Sequence, residues 1–496
     1  MLIDAAKDPG LPQHLDFCVI GTGPAGLAVA FELETAGFDV GLVEAGDLNP
    51  SRSSQFFYQG IDGGITYALD GSRIRALGGS SNCWGGWCRQ LEPIEFEKRE
   101  WMPASSWPIQ HRSIAKYYGT AGKILNVDGK NFNPDFLKEK ASRQGIYLTK
   151  ESRIFSPRIW QVSVNRRLAE VYRDRLASSQ KIFLIYNCTI TDILFNGLKV
   201  SALKYVTAIG KHGELSSRNS FVLALGGIET SRLLLIARSR GPSALQSISP
   251  WLGKGFMEHP ARINGWRMYV PYRSVPFVEE DGGALQPIPG QDFRIAFGFG
   301  ASEAAQRKYR LPGFWAVPGA AQKITDEKEE AAARLFVQNM QRLDKKPEVR
   351  SVDVTWAIEQ SVNVKSQIRL SHTDDSMGQP KVLLDWEISD SDARTVKAYE
   401  HLIAKDFLDR KIARFRILNS INTSDKVIDY GNHHMGATRM AASPKDGVVN
   451  FDCKVFGTSN LYLAGSGVFP TSAVTNPTMA LTALALRLGD HLKRSV

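Results

Sequence analysis

From Asp16 to Gly46 the chain reads DFCVIGTGPAGLAVAFELETAGFDVGLVEAG. No other stretch restricts the fold as strongly. Phe17, Cys18, Val19 and Ile20 form an apolar run short enough for a buried strand. Gly21-x-Gly23-x-x-Gly26 follows, and Leu27 to Glu34 carries neither Gly nor Pro, which suits a helix. Gly37 ends that helix, and Val40, Leu42 and Val43 start a second strand that finishes at Glu44. In a strand–turn–helix–strand setting this glycine spacing has a physical meaning. Gly21 permits the tight turn, Gly23 lets backbone approach a pyrophosphate, and Gly26 lets helix and strand pack closely. The helix N-terminus then offers free N–H groups and a partial positive charge to phosphates. Glu44 lies 23 residues past Gly21, where a carboxylate accepts hydrogen bonds from a ribose diol. The stretch predicts binding of a dinucleotide with an unphosphorylated ribose, FAD or NAD rather than NADP.

At 496 residues the chain can bury a large core in more than one domain. Its 43% apolar and 23% charged residues are those of an ordinary globular protein. No run approaches the roughly 18 apolar residues of a membrane-crossing helix. The opening MLIDAAKDPGLPQHL has no basic cluster or apolar core, so no signal peptide is expected. Five cysteines form an odd, sparse set without CxxC or CxxCH. These features predict a reducing, cytoplasmic setting; export on a partner's signal would leave no mark in this chain. The net charge of +10 is scattered, with no basic stripe or module for nucleic acid. It reads as a solvated basic surface, or as a surface for an acidic electron-transfer partner.

Beyond Glu44 a second dense stretch, Arg73 to Trp87, carries the loop Gly78-Gly79-Ser80-Ser81-Asn82-Cys83-Trp84. Its glycines and serines form no stable helix or strand, but can turn several N–H groups toward one anion. A helical pattern is read over Ser163 to Ser178. Lys181 to Thr207 reads as two strands joined at Asn196-Gly197. Phe221 to Leu225, Gly226-Gly227 and a helix from Ile228 repeat the strand–glycine–helix pattern. From about Pro260 to Tyr430 aromatic and Pro/Gly-rich strands dominate, with helices starting near Asp326 and Ser389. This segment predicts an antiparallel sheet that covers a cofactor face and shapes a pocket. A final helix runs from Met479 to Lys493, its start aimed at the cofactor.

Nine histidines are present, and only His433 and His434 lie in a glycine-bounded loop beside the C-terminal motifs. In an extended segment adjacent side chains face opposite ways, so one of the two faces the cofactor. His259, before Pro260, reads as a structural hydrogen bonder. Adjacent histidines without a Cys or carboxylate cluster predict no metal site. Cys83 and Cys88 read as buried thiols, with a flavin-linked Cys83 as the minority reading.

Together these pieces resemble the glucose–methanol–choline (GMC) oxidoreductases. The resemblance rests on the N-terminal motif with Glu44, the Gly78–Asn82 loop, Trp107-Pro108-Ile109, and Gly253 to Pro260 with Glu258-His259. It rests also on His433-x-x-Gly436 and on Leu463-Ala-Gly-Ser-Gly467 through Asn476-Pro477. The tail is similar to the sugar-oxidising branch, which includes pyranose oxidases and glucoside 3-dehydrogenases. The resemblance implies an α/β fold with a discontinuous Rossmann-type FAD-binding domain from residues 1–100, 180–260 and 431–496. Residues 101–179 would connect it to a substrate-binding domain, 261–430, with an antiparallel sheet and flanking helices.

The resemblance further implies FAD, with Gly21, Gly23, Gly26 and Glu44 on its ADP part. Gly78, Gly79, Ser80, Asn82 and Cys83 would lie near the pyrophosphate and isoalloxazine. Gly465 and Ser466 would lie on the ribityl side, and Asn476, Pro477 and Thr478 at the pyrimidine edge. His433 and Asn476 fall on the family's catalytic positions; His434 reads as a structural partner or a substrate-rim residue, and Gln360 is placed at the substrate. Asn82-Cys83-Trp84 lacks the histidine that bonds to flavin in classical pyranose oxidases, so noncovalent FAD is expected. The implied reaction is oxidation of a secondary hydroxyl of a sugar or glycoside, with electrons passing to oxygen, a quinone or a separate protein. A sterol, aryl or aliphatic alcohol, or a flavoprotein subunit of an electron-transfer complex, are the alternatives.

Overall fold

The strand Phe17–Ile20 lies near the middle of a six-stranded sheet. All four of its residues are buried, as a parallel strand covered on both faces requires. In spatial order the strands are Leu2–Asp4, Ile182–Tyr186, Val40–Val43, Phe17–Ile20, Ser220–Leu223 and Leu461–Leu463, and every pair is parallel. Val19 pairs with Leu42 on one side and Val222 on the other. Segments from both ends of the chain therefore share one sheet. The computed structural model describes residues 1–8, 10–132, 152–240, 249–272, 285–287 and 290–496.

Two helices and one 3-10 turn leave the carboxyl ends of adjacent strands. Pro24–Thr35 follows Phe17–Ile20, Gly226–Arg240 follows Ser220–Leu223, and a short 3-10 turn, Ser466–Val468, follows Leu461–Leu463. A crevice at this edge is where open α/β sheets hold their ligands. The helix Thr478–Leu492 crosses Pro24–Thr35 closely, because Gly489 has no side chain: a β-carbon there would lie 2.7 Å from Glu32 Cβ.

The second layer is a nine-stranded antiparallel sheet. Its main path runs Arg414–Ile417, Pro260–Pro271, Val349–Ile358, Phe314–Gln322, Phe293–Ala301, Phe155–Ser163 and Trp87–Cys88. Asp429–Tyr430 and Leu285–Pro287 pair at its margins. One face packs Phe155, Phe299, Phe314, Trp266 and Trp356 into a continuous aromatic core. The helix Asp390–Asp409 starts at Ser389 with a reciprocal capping box to Asp392, and Glu327–Gln341 starts under the Asp326 cap.

Two local expectations change. Ser163 ends a strand, and the helix read from there begins at Leu168. The β-favouring Ile159, Trp160 and Val162 carry the strand through to Ser163, where it pairs with Phe293. Lys181 to Thr207 is three strands, because Asn187 turns at φ +56° and separates Ile182–Tyr186 from Cys188–Asn196. Ile182–Tyr186 joins the parallel sheet, while Cys188–Asn196 and Lys199–Thr207 form the expected hairpin at Asn196-Gly197. The strands Gln367–Asp374 and Pro380–Asp385 stand outside the large sheet, in a three-stranded sheet with Ile61–Asp62.

Candidate active site

At one end of the crevice the first glycine turn is dictated by space. Gly21 has φ +109°, and a β-carbon on it would overlap the carbonyl of Ala224, the residue just past the neighbouring strand. A β-carbon on Gly26 would overlap Gly21 O, so this glycine seats the helix on the turn rather than facing the crevice. Gly23 is open on its crevice side, with no atom within 4 Å of where a β-carbon would stand. Glu44 is buried at the tip of its strand. One carboxylate oxygen accepts from Thr22 Oγ1, the other from the Gly46 N–H at 2.9 Å. Thr22 Oγ1 itself accepts from the Gly78 N–H at 3.1 Å, which ties the second glycine loop to the first. Among the described residues no Lys or Arg pairs with Glu44. A buried carboxylate with free lone pairs suits a pair of hydroxyls.

At the other end lies His433. Its backbone N–H donates to Glu258 Oε1 at 2.5 Å, and Tyr67 Oη donates to the same oxygen at 2.6 Å. Glu258 Oε2 accepts from the N–H groups of His259 at 2.7 Å and Gly431 at 3.3 Å. Burial pushes Glu258 up to about 7. This one carboxyl group therefore gathers the loop that carries His433 and the strand start that carries His259.

The imidazole contacts define a direction. His259 Nε2 lies 3.1 Å from both Ser472 O and Ala473 O. Carbonyls only accept, so Nε2 carries the proton. Burial lowers the His259 pKa, so the ring is neutral and its Nδ1 is a bare acceptor. His433 Nδ1 stands 2.8 Å from that Nδ1 and must be the donor. His433 is itself held well below the ordinary imidazole range, first by burial and then by the proximity of His259 and His434. A neutral His433 protonated on Nδ1 leaves Nε2 bare. That nitrogen faces Asn476 Nδ2 at 3.3 Å. A bare imidazole nitrogen beside an amide donor can accept a hydroxyl proton while the amide holds the oxygen.

Asn476 is carried by a tightly fastened loop. Thr471 Oγ1 donates to Glu359 Oε1 at 2.5 Å, and Val474 N–H donates to Glu95 Oε1 at 2.8 Å. Glu359 is also paired with Arg99 at 2.5 Å and 2.7 Å, both side chains fully buried. The same loop supplies the two carbonyls that set the His259 proton.

The crevice is one continuous cavity. Gly21, Gly23, Glu44, Gly79, Ser80, Cys83, His433, His434, Gly465, Ser466, Asn476, Pro477 and Thr478 all line it. His434 nevertheless turns its ring away from His433: Nε2 sits 3.1 Å from Ser72 Oγ, the ring stacks on Phe256, and burial holds its pKa near 3. Asn82 and Gly78 do not line the cavity. Asn82 Nδ2 donates to Leu77 O and Gly79 O, both at 2.9 Å, and so shapes the loop from inside. Gln360 does not line the cavity: it is fully buried, its Oε1 accepting from Glu258 N–H and Trp386 Nε1 and its Nε2 donating to Glu387 O. Cys83 is an exposed thiol on the cavity wall rather than a buried one, whereas Cys88 is buried. Among the described residues no group of three His, Cys, Asp or Glu side chains gathers to hold a metal.

Glu258, Tyr67, Thr22 and the His259–His433 contact were not read from the sequence as site features. The Glu258-His259-Pro260 tripeptide was the available signal, but nothing local ties it to a residue 174 positions later.

The long cavity, the open Gly23 backbone, the N-terminus of Pro24–Thr35 and the buried Glu44 carboxylate on the cavity wall together fit FAD. Residues 16–358 match the family described as FAD dependent oxidoreductase, and residues 363–485 match the family described as GMC oxidoreductase. The chain belongs to the FAD-dependent oxidoreductases, and its C-terminal region matches the GMC oxidoreductases. The enzyme is 23% identical to a 2-methyl-1,2-propanediol dehydrogenase of Mycolicibacterium austroafricanum, over 97% of this chain and 96% of that protein. It is 29% identical to a C-glycoside 3-oxidase of Microbacterium trichothecenolyticum over a shorter span, 26% of this chain and 25% of that one. A pyridoxine 4-oxidase structure from Mesorbium loti superposes with a TM-score of 0.58 at 15% identity, covering 96% of this chain and 99% of the other, which shows a shared fold. The enzyme is thus an FAD-dependent oxidoreductase acting on the CH–OH group of an alcohol.

Proposed function

We propose that the alcohol is a sugar or glycoside and that a secondary hydroxyl is oxidised to the ketone. The observation that carries the chemistry is the bare Nε2 of His433 beside Asn476 Nδ2 in the cavity. A substrate hydroxyl placed between them donates to Nε2 and accepts from Nδ2. His433 takes the hydroxyl proton at Nε2, and the charged ring then donates more strongly from Nδ1 to His259 Nδ1. Asn476 holds the oxygen as negative charge develops on it. FAD, when bound, supplies the acceptor for the two electrons and the carbinol hydrogen. Glu258 keeps both histidine backbones in register for this exchange.

The sugar reading is supported by the likeness to the C-glycoside 3-oxidase and by the aromatic and polar groups mixed along the cavity wall. The near full-length likeness to a diol dehydrogenase favours a second reading, a small aliphatic diol. Anaerobic mixing with a panel of sugars, glycosides and short diols tests the two. Bleaching of the flavin by pyranosides with a secondary hydroxyl, at lower concentration than by diols, is expected. Bleaching by diols alone moves the assignment to the second reading.

A further inference from the structure

One part of the cavity wall has no role in the chemistry above. Trp87 lines the cavity on the two-residue strand Trp87–Cys88, at the edge of the large sheet. Its partner across the strand pair is Val162, and its indole meets that of Trp160 edge to face, centroids 5.8 Å apart at 63°. Trp160 in turn meets Trp315 at 5.6 Å and 64°. The three tryptophans form a row on one face of the sheet, with Trp160 buried and Trp87 half-buried at the cavity end.

Two glycines make room for this row. A β-carbon on Gly298 would stand 2.9 Å from Trp160 Cζ3, and one on Gly85 would stand 3.0 Å from Trp87 Cδ1 and 3.4 Å from its Nε1. Gly85 also lines the cavity. The Trp87 indole is therefore wedged between Trp160 and the Gly85 backbone, and holding it still costs little additional rotamer freedom.

We propose that the Trp87 indole is the platform on which the ring of a pyranoside substrate rests, and that it sets the preference for a cyclic sugar over an acyclic alcohol. This rests on the sugar reading above. A pyranose presents one patch of ring C–H bonds that is apolar and flat, with hydroxyls around its rim. A fixed indole covers such a patch, while His433 and Asn476 on the same cavity engage one hydroxyl. A short acyclic diol has no flat apolar face and gains little from the platform. Recognition by an aromatic wall with few orienting polar groups is the general pattern of small-ligand sites.

The experiment is anaerobic stopped-flow reduction of the FAD-loaded wild type and of Trp87→Leu, Trp87→Phe and Gly85→Ala, with a pyranoside and a short diol. Visible spectra and thermal melting establish flavin content and folding. Trp87→Leu should raise the pyranoside Kd about 10- to 100-fold, the usual worth of a lost apolar contact of this size, with a much smaller change in the limiting reduction rate. The ratio of pyranoside to diol efficiency should fall with it. Trp87→Phe should recover most of the loss, because a flat ring remains. Gly85→Ala should weaken pyranoside binding with Trp87 intact, by pushing the indole from its seat. If pyranosides bleach the wild type but Trp87→Leu keeps the wild-type Kd, or weakens both substrates equally, the platform alone is overturned. If diols bleach the wild type and no pyranoside does, the sugar reading fails and the platform with it.

Discussion

His433 Nδ1 and His259 Nδ1 lie 2.8 Å apart, and only one of them can carry the hydrogen between them. The carbonyls of Ser472 and Ala473 decide which, by claiming the single proton of neutral His259 at Nε2. The tautomer of the reactive ring is thus set from a loop that also carries Asn476. The proposed base, the proposed oxygen holder and the carbonyls that fix the tautomer are parts of one assembly.

His433→Ala should retain FAD and slow flavin reduction by roughly 10²–10⁴-fold, the range for a positioned general base. Asn476→Ala should cost about 10²–10³-fold, as for one lost donor to a developing oxyanion. His434→Ala should be milder, since its ring is engaged with Ser72 and Phe256. Anaerobic stopped-flow reduction of the three variants checks the order. A crippled His434→Ala with a normal His433→Ala would move the base by one residue.

Burial keeps His433 neutral below its ordinary pKa of 6.5. The proposed base is therefore in its neutral, proton-accepting form at neutrality, and that form is lost only as the pH falls through the depressed value. The rate of flavin reduction should show no acid limb attributable to His433 at or above pH 6.5. A fall in rate centred above pH 6.5 that disappears in His433→Ala would contradict this sign.

His259→Leu removes the acceptor for His433 Nδ1–H. The neutral ring is then free to carry its proton on Nε2, where it cannot act as a base. Reduction should slow by about 10- to 10³-fold with the flavin spectrum retained, a smaller version of the loss seen when a triad histidine takes the wrong tautomer. Wild-type reduction rates in this variant would show that the contact is packing alone.

Glu44→Gln should weaken FAD retention by roughly 1.5–3 kcal/mol, the worth of a hydrogen bond to a charged group. Flavin occupancy after extended dialysis, compared with wild type, is the measurement. Unchanged occupancy would remove Glu44 from the ribose.

FAD should be held without a covalent bond, because Asn82-Cys83-Trp84 offers no histidine to the flavin. Acid precipitation should leave the yellow colour in the supernatant. Colour that stays with the pellet would point to the Cys83 thiol, which does open onto the cavity.

What the sequence determined by itself was local. Strand, glycine turn, helix and second strand follow one another within about thirty residues, so this unit at one end of the cavity was legible from spacing. The Asn196-Gly197 hairpin and the helices starting at Asp326 and Ser389 were legible for the same reason, since turn and cap chemistry act over a few residues. The tertiary structure decided the rest. Glu258, His259, His433 and Asn476 come from three distant parts of the chain, and only the closed fold brings them within hydrogen-bond distance. Gln360 read as a polar pocket residue, yet three buried partners claim its amide. Side-chain identity limits which bonds a residue can make, but burial and the partners at hand select which ones it does make. Proton placement on His433 depends on both, and neither exists until distant segments have packed together.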